Sequence, residues 1–134
     1  MITGPEEDVK FNETWPFNLK KNNLITELPF VGKEYKLSFE VKITNFGADA
    51  YQSVIHLTIG GNAESYGDRT PGVWITNTKL FCIASAVSGN LNHYQTLAAP
   101  VLEENKWTKV EISQTLIEGK VSRCFSLTII ASLL

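Results

Sequence analysis

The segment at positions 60–75, GGNAESYGDRTPGVWI, carries the side chains of this chain that are best suited to bind a ligand. Asp68 and Arg69 stand next to each other in it, with Tyr66 before them and Trp74 after them. Carboxylate and guanidinium groups hydrogen-bond to hydroxyls, and a planar aromatic ring covers the apolar face of a sugar. The residue types therefore predict a recognition surface for a carbohydrate.

A second polar segment, VSGNLNHY at positions 87–94, supplies further amide and aromatic groups. We expect it to lie beside the first segment, at one end of the fold, so that both contribute to one surface. The ligand-binding residues predicted in this way are Asn62, Tyr66, Asp68, Arg69, Trp74, Asn90, Asn92 and Tyr94.

A purely structural interpretation of the same residues stays open. The irregular stretch at 60–72 is longer than most connections in compact domains, and a long connection needs glycine and proline whether or not it binds anything. Asp68 would then pair with Arg69 or a nearby lysine as a surface salt bridge of little energetic weight. His56, on the strand face opposite Ile55, is interpreted as a side chain without a functional partner.

The elements that must hold these segments are strands. The runs YKLSFEVKI at 35–43 and TKVEIS at 108–113 alternate apolar and polar residues without interruption. QSVIHLTI repeats the pattern, with Ile55, Leu57 and Ile59 on one face. This period of two is typical of antiparallel strands that bury one face.

Further strand-like runs, each bounded by Asn, Gly or Pro, lie at 22–28, 72–76, 79–87, 93–99 and 121–131. The EGK turn before the last of them predicts a hairpin with the preceding strand. About eight strands and no amphipathic helix predict an all-β fold, an antiparallel β-sandwich of two sheets packed face to face. We assign residues 1–134 to a single domain, with an extended polar leader at 1–20 and the sandwich at 21–131.

The composition narrows the function classes. A chain of 134 residues with 43% hydrophobic residues has the size and composition of one globular core. The formal net charge of −2 and the lack of a long Lys/Arg cluster argue against a nucleic-acid surface. The longest nearly apolar run, at 125–134, is too short for a membrane-spanning helix, which needs about 20 residues. Cys82 and Cys124 are expected to be buried free thiols, with one disulfide between neighbouring strands as the alternative.

Several phrases, taken in order, resemble the concanavalin A-like, laminin-G-type jelly-roll family. They are KEYKLSFEVK, VIHLTIGGN, YGDRTPGVWI, LFCIASAVSGN and ENKWTKVEISQ, and the resemblance covers roughly residues 22–118. The resemblance implies a jelly roll that binds carbohydrate or mediates adhesion. The final stretch, IEGKVSRCFSLTIIASLL, departs from the family pattern, which continues with further strands. The resemblance then implies an open sheet edge that pairs with a second copy, giving a homo-oligomer.

Domains of this family often hold calcium through loop carboxylates and carbonyls, which are the hard oxygen ligands that calcium requires. The resemblance implies such a site at Asp68, Asn62 and Glu64, with weak affinity, on the order of 10⁻⁴ to 10⁻³ M. No other cofactor is predicted.

The jelly-roll glycoside hydrolases need two carboxylates on one strand face, usually spaced as ExDxE. That spacing does not occur in this chain, and neither does a nucleophile elbow, a phosphate-binding glycine loop or a metal-binding histidine pair. We therefore predict a protein that is not an enzyme.

The leader MITGPEEDVKFNE lacks the basic and apolar regions of a secretory signal. The resemblance implies an extracellular or secreted protein whose signal has been removed, and a cytoplasmic protein is the alternative. The predicted function is a non-catalytic module that recognises a glycan or glycoprotein through loops at one end of the sandwich. The alternative is a protein-interaction or self-assembly module that uses a sheet edge or face and has no small-molecule ligand.

Overall fold

The structure is a computed structural model that describes residues 2–3, 8–9, 18–20, 24–28, 32–98 and 100–130, with the backbone alone described at 2–3, 8–9 and 121–130. The described residues form nine strands and no helix. The strands are β1 (Ile2–Thr3), β2 (Asp8–Val9), β3 (Tyr35–Lys42), β4 (Tyr51–His56), β5 (Gly72–Thr76), β6 (Phe81–Val87), β7 (Asn90–Thr96), β8 (Trp107–Ile117) and β9 (Lys120–Ile130).

The strands make two antiparallel sheets, as the alternation predicted. One sheet has five strands in the order β2-β1-β3-β8-β9, and the other has four in the order β4-β5-β6-β7. Every neighbouring pair runs antiparallel. The predicted hairpin between β8 and β9 is confirmed, and its turn contains Glu118 and Gly119, both at positive φ. Within the described residues no helix is long and apolar enough to cross a membrane.

The period of two in β3 is confirmed by the burial of its side chains. Tyr35, Leu37 and Val41 are buried, and β8 places Val110 and Ile112 on the same face of the sheet. Burial of a large aliphatic side chain of this kind contributes about 1.5–3 kcal/mol. Burial of the apolar face of the five-stranded sheet therefore favours the packing of a second layer against it.

The second layer is the four-stranded sheet, and the two sheets share one core, which gives the molecule its β-sandwich character. Members of the core come from both layers; they are Tyr35, Leu37, Val41, Val110 and Ile112 on one side, Val54, Val73, Ile75, Phe81 and Ile83 on the other, and Leu102 from a connection. The side of the four-stranded sheet turned away from this core is called the outer face below.

A buried polar network also joins the two sheets. The Tyr35 hydroxyl donates to Ser85 Oγ at 3.0 Å, and Gln114 Nε2 donates to the carbonyls of Lys33 at 2.9 Å and Ala86 at 3.4 Å. Burial raises the pKa of the Tyr35 hydroxyl, while the hydrogen bond with Ser85 acts in the opposite direction. Because these groups satisfy one another, the cost of burying them is offset.

The alternation predicted for β4 is correct only in part. Ile55 and Leu57 pack against the core, but the register shifts between Ser53 and Ile55, and the extra residue, Val54, is buried with them. Ile59 was predicted to face inward and is 74% exposed. The strand ends at His56, so Ile59 belongs to the connection that follows and no longer obeys the period of the strand.

Three further expectations from the sequence concern the strand at 22–28, the leader and the cysteines. The strand predicted at 22–28 is wrong over the described residues 24–28, which lie in no strand. In the segment predicted as a polar leader, β1 pairs with β3 and with β2, so residues 2–3 and 8–9 belong to the five-stranded sheet. The Cys82 thiol is buried and free, whereas the side chain of Cys124 lies outside the described part.

Candidate functional site

The connection between β4 and β5 is anchored along its base. The amide of Leu57 donates to the carbonyl of Pro71 at 3.0 Å, and the amide of Thr70 donates back to the carbonyl of Leu57 at 3.1 Å. Further out, the amide of Ile59 donates to the carbonyl of Gly67 at 3.1 Å. Only the tip, residues 60–66, therefore extends beyond the paired backbone, which limits the motion of the residues that follow it.

The Asp68 carboxylate folds this tip from within. Its Oδ2 accepts the amides of Glu64 and Ser65, each at 2.8 Å, and Asp68 is only 3% exposed. A side chain at Gly61 would collide with the same carboxylate. Asp68 was predicted to bind ligand, but its carboxylate is directed at the backbone of its own connection.

Arg69, the next residue, points the other way and links three parts of the molecule. Its Nε donates to Asn62 Oδ1 at 2.7 Å, and its Nη1 donates to Asn92 Oδ1 at 2.6 Å. The guanidinium carbon lies 4.9 Å from the centre of the Trp74 ring, within the range of a cation–π contact. We call Asn62, Arg69, Trp74 and Asn92 the Arg69 cluster.

The position of Trp74 follows from the strand that carries it. Val73 and Ile75 are in the core, so Trp74 between them must face outward. Its ring lies over Gly72, where any side chain would collide with the ring carbons. Gly72 thus creates the space in which the indole lies flat along the outer face, where it is partly exposed.

The backbone explains how Arg69 reaches Asn92. The amide of Ala86 on β6 donates to the carbonyl of Arg69 at 3.2 Å, which places the Arg69 backbone beside β6. Asn92 lies on β7, the neighbour of β6 on the other side. The Arg69 side chain therefore crosses β6 near Ala86, a small residue that is fully buried.

His56 is the functional-site candidate that sequence reasoning missed. It pairs with Gly72 across the strands, and its ring centre lies 5.9 Å from that of Trp74. His56 Nε2 lies 2.6 Å from the carbonyl oxygen of Asp68, and because a carbonyl only accepts, this nitrogen carries the proton. The alternation placed His56 correctly opposite Ile55, but only the register between β4 and β5 reveals its neighbours.

On β7 the predicted residues occupy different roles. Asn90 Oδ1 accepts the amide of Asn92 at 2.9 Å, so Asn90 supports the strand end that presents Asn92. Tyr94 is 65% exposed and stands opposite Ala84, which itself pairs with Gly72. Tyr94 is therefore on the outer face, in the row of the sheet that also contains His56 and the Trp74 ring.

Tyr66 lies apart from the Arg69 cluster. It lines an open depression of ≈ 350 Å³ together with Lys33, Val87, Ser88, Gly89 and Leu91. Desolvation raises the pKa of the Tyr66 hydroxyl, and this hydroxyl also contributes to the raised pKa of Tyr35. The structure thus separates Tyr66, at the end of the sandwich, from the predicted residues that meet on the outer face.

Of the three residues expected to bind calcium, Asp68 and Asn62 use a side-chain oxygen for another partner. Asp68 accepts two backbone amides, Asn62 accepts from Arg69, and Glu64 contributes its amide to Asp68. A guanidinium 2.7 Å from the Asn62 oxygen would repel a cation there. In the part of the chain that the structure describes, no three His, Cys, Asp or Glu side chains form a group that could hold a metal ion.

No protein-family model, curated protein or solved structure matches this chain.

Proposed function

We propose that the protein is a non-catalytic carbohydrate-binding module, built on a concanavalin A-like jelly roll, and that it binds a glycan on the Arg69 cluster and the adjoining Tyr94. One observation carries the proposal. An arginine is held against a partly exposed indole by two asparagine amides that come from the connection at 57–71 and from β7. The site is thus assembled before any ligand arrives, which reduces the entropy lost on binding.

The chemistry of this surface suits a sugar. The indole of Trp74 and the phenol of Tyr94 offer flat apolar faces, with Tyr94 65% exposed. The amide nitrogens of Asn62 and Asn92 and the guanidinium offer hydrogen bonds to hydroxyl and ring oxygens. Such a mixture of stacking surface and convergent polar groups is typical of small-ligand sites. The family resemblance extends the proposal to a glycan or glycoprotein outside the cell.

The site lies somewhat differently from the one that the sequence predicted. The prediction assigned it to loops at one end of the sandwich, whereas the Arg69 cluster, which we propose as the site, lies on the outer face of the four-stranded sheet, next to the connection at 57–71. Asp68 is replaced as a candidate by His56, whose ring packs near Trp74. Asp68 supports the site indirectly, because its main-chain oxygen holds the His56 ring.

The experiment uses two exposed tyrosines on the same face. Tyr94 lies beside the Arg69 cluster and is 65% exposed. Tyr51 is 57% exposed and lies at the start of β4, paired with Thr76, whereas His56 lies at the end of the same strand. The wild-type protein is screened on a glycan array and titrated by NMR at millimolar sugar, with and without calcium. Tyr94→Ala should weaken binding by about two- to twelvefold, the loss expected for one aromatic contact of about 0.5–1.5 kcal/mol.

Tyr51→Ala is the matched control and should bind as the wild type does. Absence of binding by the wild-type protein to every sugar would refute the proposal. Equal weakening by Tyr51→Ala and Tyr94→Ala would show that the Arg69 cluster is not the site.

A self-assembly module is the second candidate, and the edges of the four-stranded sheet favour it. β4 and β7 are its edge strands, and on β7 the side chains of Leu91 (43% exposed) and Tyr94 are exposed. An edge strand with exposed apolar side chains is able to pair with another chain. Light scattering over a range of concentrations tests this function: Leu91→Lys should shift a dimer to a monomer, and a wild-type protein that stays monomeric throughout excludes it.

A further inference from the structure

The charge of Arg69 has no carboxylate partner within the described residues. The ion pairs there join Lys36 and Lys109 to Glu111, and Lys106 to Glu103. Both hydrogen bonds of Arg69 go to neutral amide oxygens, those of Asn62 and Asn92. The adjacent acid, Asp68, is turned into the connection at 57–71 and is 3% exposed. No carboxylate of the described residues therefore neutralises the positive charge of this guanidinium on the outer face.

The remaining hydrogen-bonding capacity of the Arg69 cluster consists mainly of donors. A guanidinium has five N–H groups, and Arg69 uses one on Nε and one on Nη1 with partners in the described part of the chain. Asn62 and Asn92 accept through Oδ1, which leaves their Nδ2 groups to donate. A hydroxyl needs both a donor and an acceptor to be fully satisfied, whereas a carboxylate only accepts.

We propose that the ligand of the Arg69 cluster is a sugar that bears a carboxylate group, and that this carboxylate pairs with the guanidinium of Arg69. The inference rests on the proposed function and narrows it to one class of saccharide. The planar fork of a guanidinium matches the two oxygens of a carboxylate, and such charge-assisted pairs are about twice as strong as neutral ones. The Trp74 ring, already covered in part by the guanidinium, remains beside the pair to contact the sugar ring.

Because the cluster contains one cation, it is best matched by a ligand with one negative charge. Arg69 is the cation of the cluster, and the whole chain has a net charge of −2. A polysulfated chain is held by several basic side chains acting together. The Arg69 cluster therefore selects a sugar with one carboxylate over a polysulfated saccharide. Calcium has no part in this pairing, because the ligand charge is neutralised by arginine.

The test compares two ligands that differ only in the charged group. A glucuronate-ended disaccharide and its neutral glucose-ended counterpart are titrated against the wild-type protein by NMR, in the presence of a calcium chelator. The acidic disaccharide should bind about tenfold more tightly, a ratio that corresponds to about 1.4 kcal/mol. Arg69→Gln should bring this ratio to about one, because the amide has no charge to pair with the carboxylate.

The matched control removes another cation that lies over an aromatic ring. Lys42 Nζ is 5.3 Å from the centre of the Trp107 ring, on the five-stranded sheet. Lys42→Gln changes the net charge as Arg69→Gln does and should leave the tenfold ratio intact. Because each ratio is measured within one protein, a loss of folded protein in a variant does not alter it.

The outcomes separate this inference from the proposed function. Binding of neither disaccharide, nor of any other sugar, overturns both. Equal binding of the acidic and neutral disaccharides by the wild type overturns the carboxylate inference and leaves the carbohydrate site in place. Tighter binding of a polysulfated disaccharide than of the glucuronate-ended one overturns the inference as well, and so does an unchanged ratio in Arg69→Gln.

Discussion

The guanidinium of Arg69, a residue that lies in no strand, is 4.9 Å from the centre of the Trp74 ring on β5. The ring is placed by the empty space above Gly72. The guanidinium is placed by two asparagine oxygens, at 2.7 and 2.6 Å. Different neighbours thus hold the two side chains, so substitution of a neighbour is expected to disturb the pair even where Arg69 and Trp74 are both kept.

Gly72→Ala should displace the Trp74 ring. The added methyl group would collide with the indole, whose Cζ3 would lie 2.7 Å from it, and overpacking of this kind costs about 1–3 kcal/mol. Near-UV circular dichroism should report the loss of the tryptophan environment, together with weaker ligand binding. Gly47→Ala is the control, since its methyl group meets the mobile end of the Gln52 side chain. Equal spectra for Gly72→Ala and the wild type would contradict the ring position.

Asp68→Ala should destabilise the protein, because the carboxylate is a structural acceptor. Its removal leaves the amides of Glu64 and Ser65 without their acceptor, and hydrogen bonds to a charged group contribute about 1.5–3 kcal/mol. Chemical unfolding in urea measures the change. Glu64→Ala, which keeps the backbone amide that Asp68 binds, is the control and should cost little. An Asp68→Ala variant as stable as the wild type would return Asp68 to the list of ligand-binding groups.

Much of the strand structure could be predicted, because alternation records which face is buried. Tyr35 and Leu37 on β3 and Ile112 on β8 follow the period of two since each faces the core. The bulge at Val54 could not be predicted from the alternation, because an inserted residue changes the strand register without changing the residue types. The alternation also gives no sign that the strand ends at His56, so the inward position predicted for Ile59 was wrong.

The candidate site could be predicted only as a set of residue types. Arg69 and Asn92 are separated by 23 positions in the sequence. They meet because β6 holds the Arg69 backbone on one side and β7, which carries Asn92, on the other. Asp68 and Arg69 are neighbours in the sequence, yet one is buried in the connection and the other lies on the outer face. The local backbone conformation decides which of the two side chains points into the connection and which points onto the sheet. The residue types alone do not reveal that conformation.

Tyr35→Phe should make the stability of the protein depend less steeply on pH in the alkaline range. Burial raises the pKa of the Tyr35 hydroxyl above the ordinary 10.0, so the folded protein keeps a proton that the unfolded chain releases. The contribution of Tyr35 to stability is then constant below about pH 10 and falls as the pH rises above it, by up to about 1.4 kcal/mol per pH unit. The slope of unfolding free energy between pH 9 and 11 should be smaller in the variant.

Loss of the hydrogen bond with Ser85 lowers the stability of Tyr35→Phe at neutral pH, by about 1 kcal/mol. The slope, not the absolute stability, is therefore the quantity to compare. Tyr66→Phe is the control: desolvation also raises the pKa of Tyr66, but this side chain is 43% exposed, so its effect on the slope should be smaller. Parallel slopes for Tyr35→Phe and the wild type would contradict the buried position of the hydroxyl.

His56→Leu should loosen the connection that carries Arg69, whereas His56→Gln should not. In the wild type His56 Nε2 donates to the Asp68 carbonyl at 2.6 Å, and leucine leaves that part-buried oxygen without this donor. The expected loss of stability is about 1–2 kcal/mol. Glutamine places an amide nitrogen near the position of Nε2 and restores the donor. Urea unfolding gives the stabilities, and hydrogen exchange at the Ile59 amide, which bonds to Gly67, reports the connection itself. If both variants lose the same stability, the histidine acts through its packing on Trp74, and the hydrogen bond to Asp68 does not hold the connection in place.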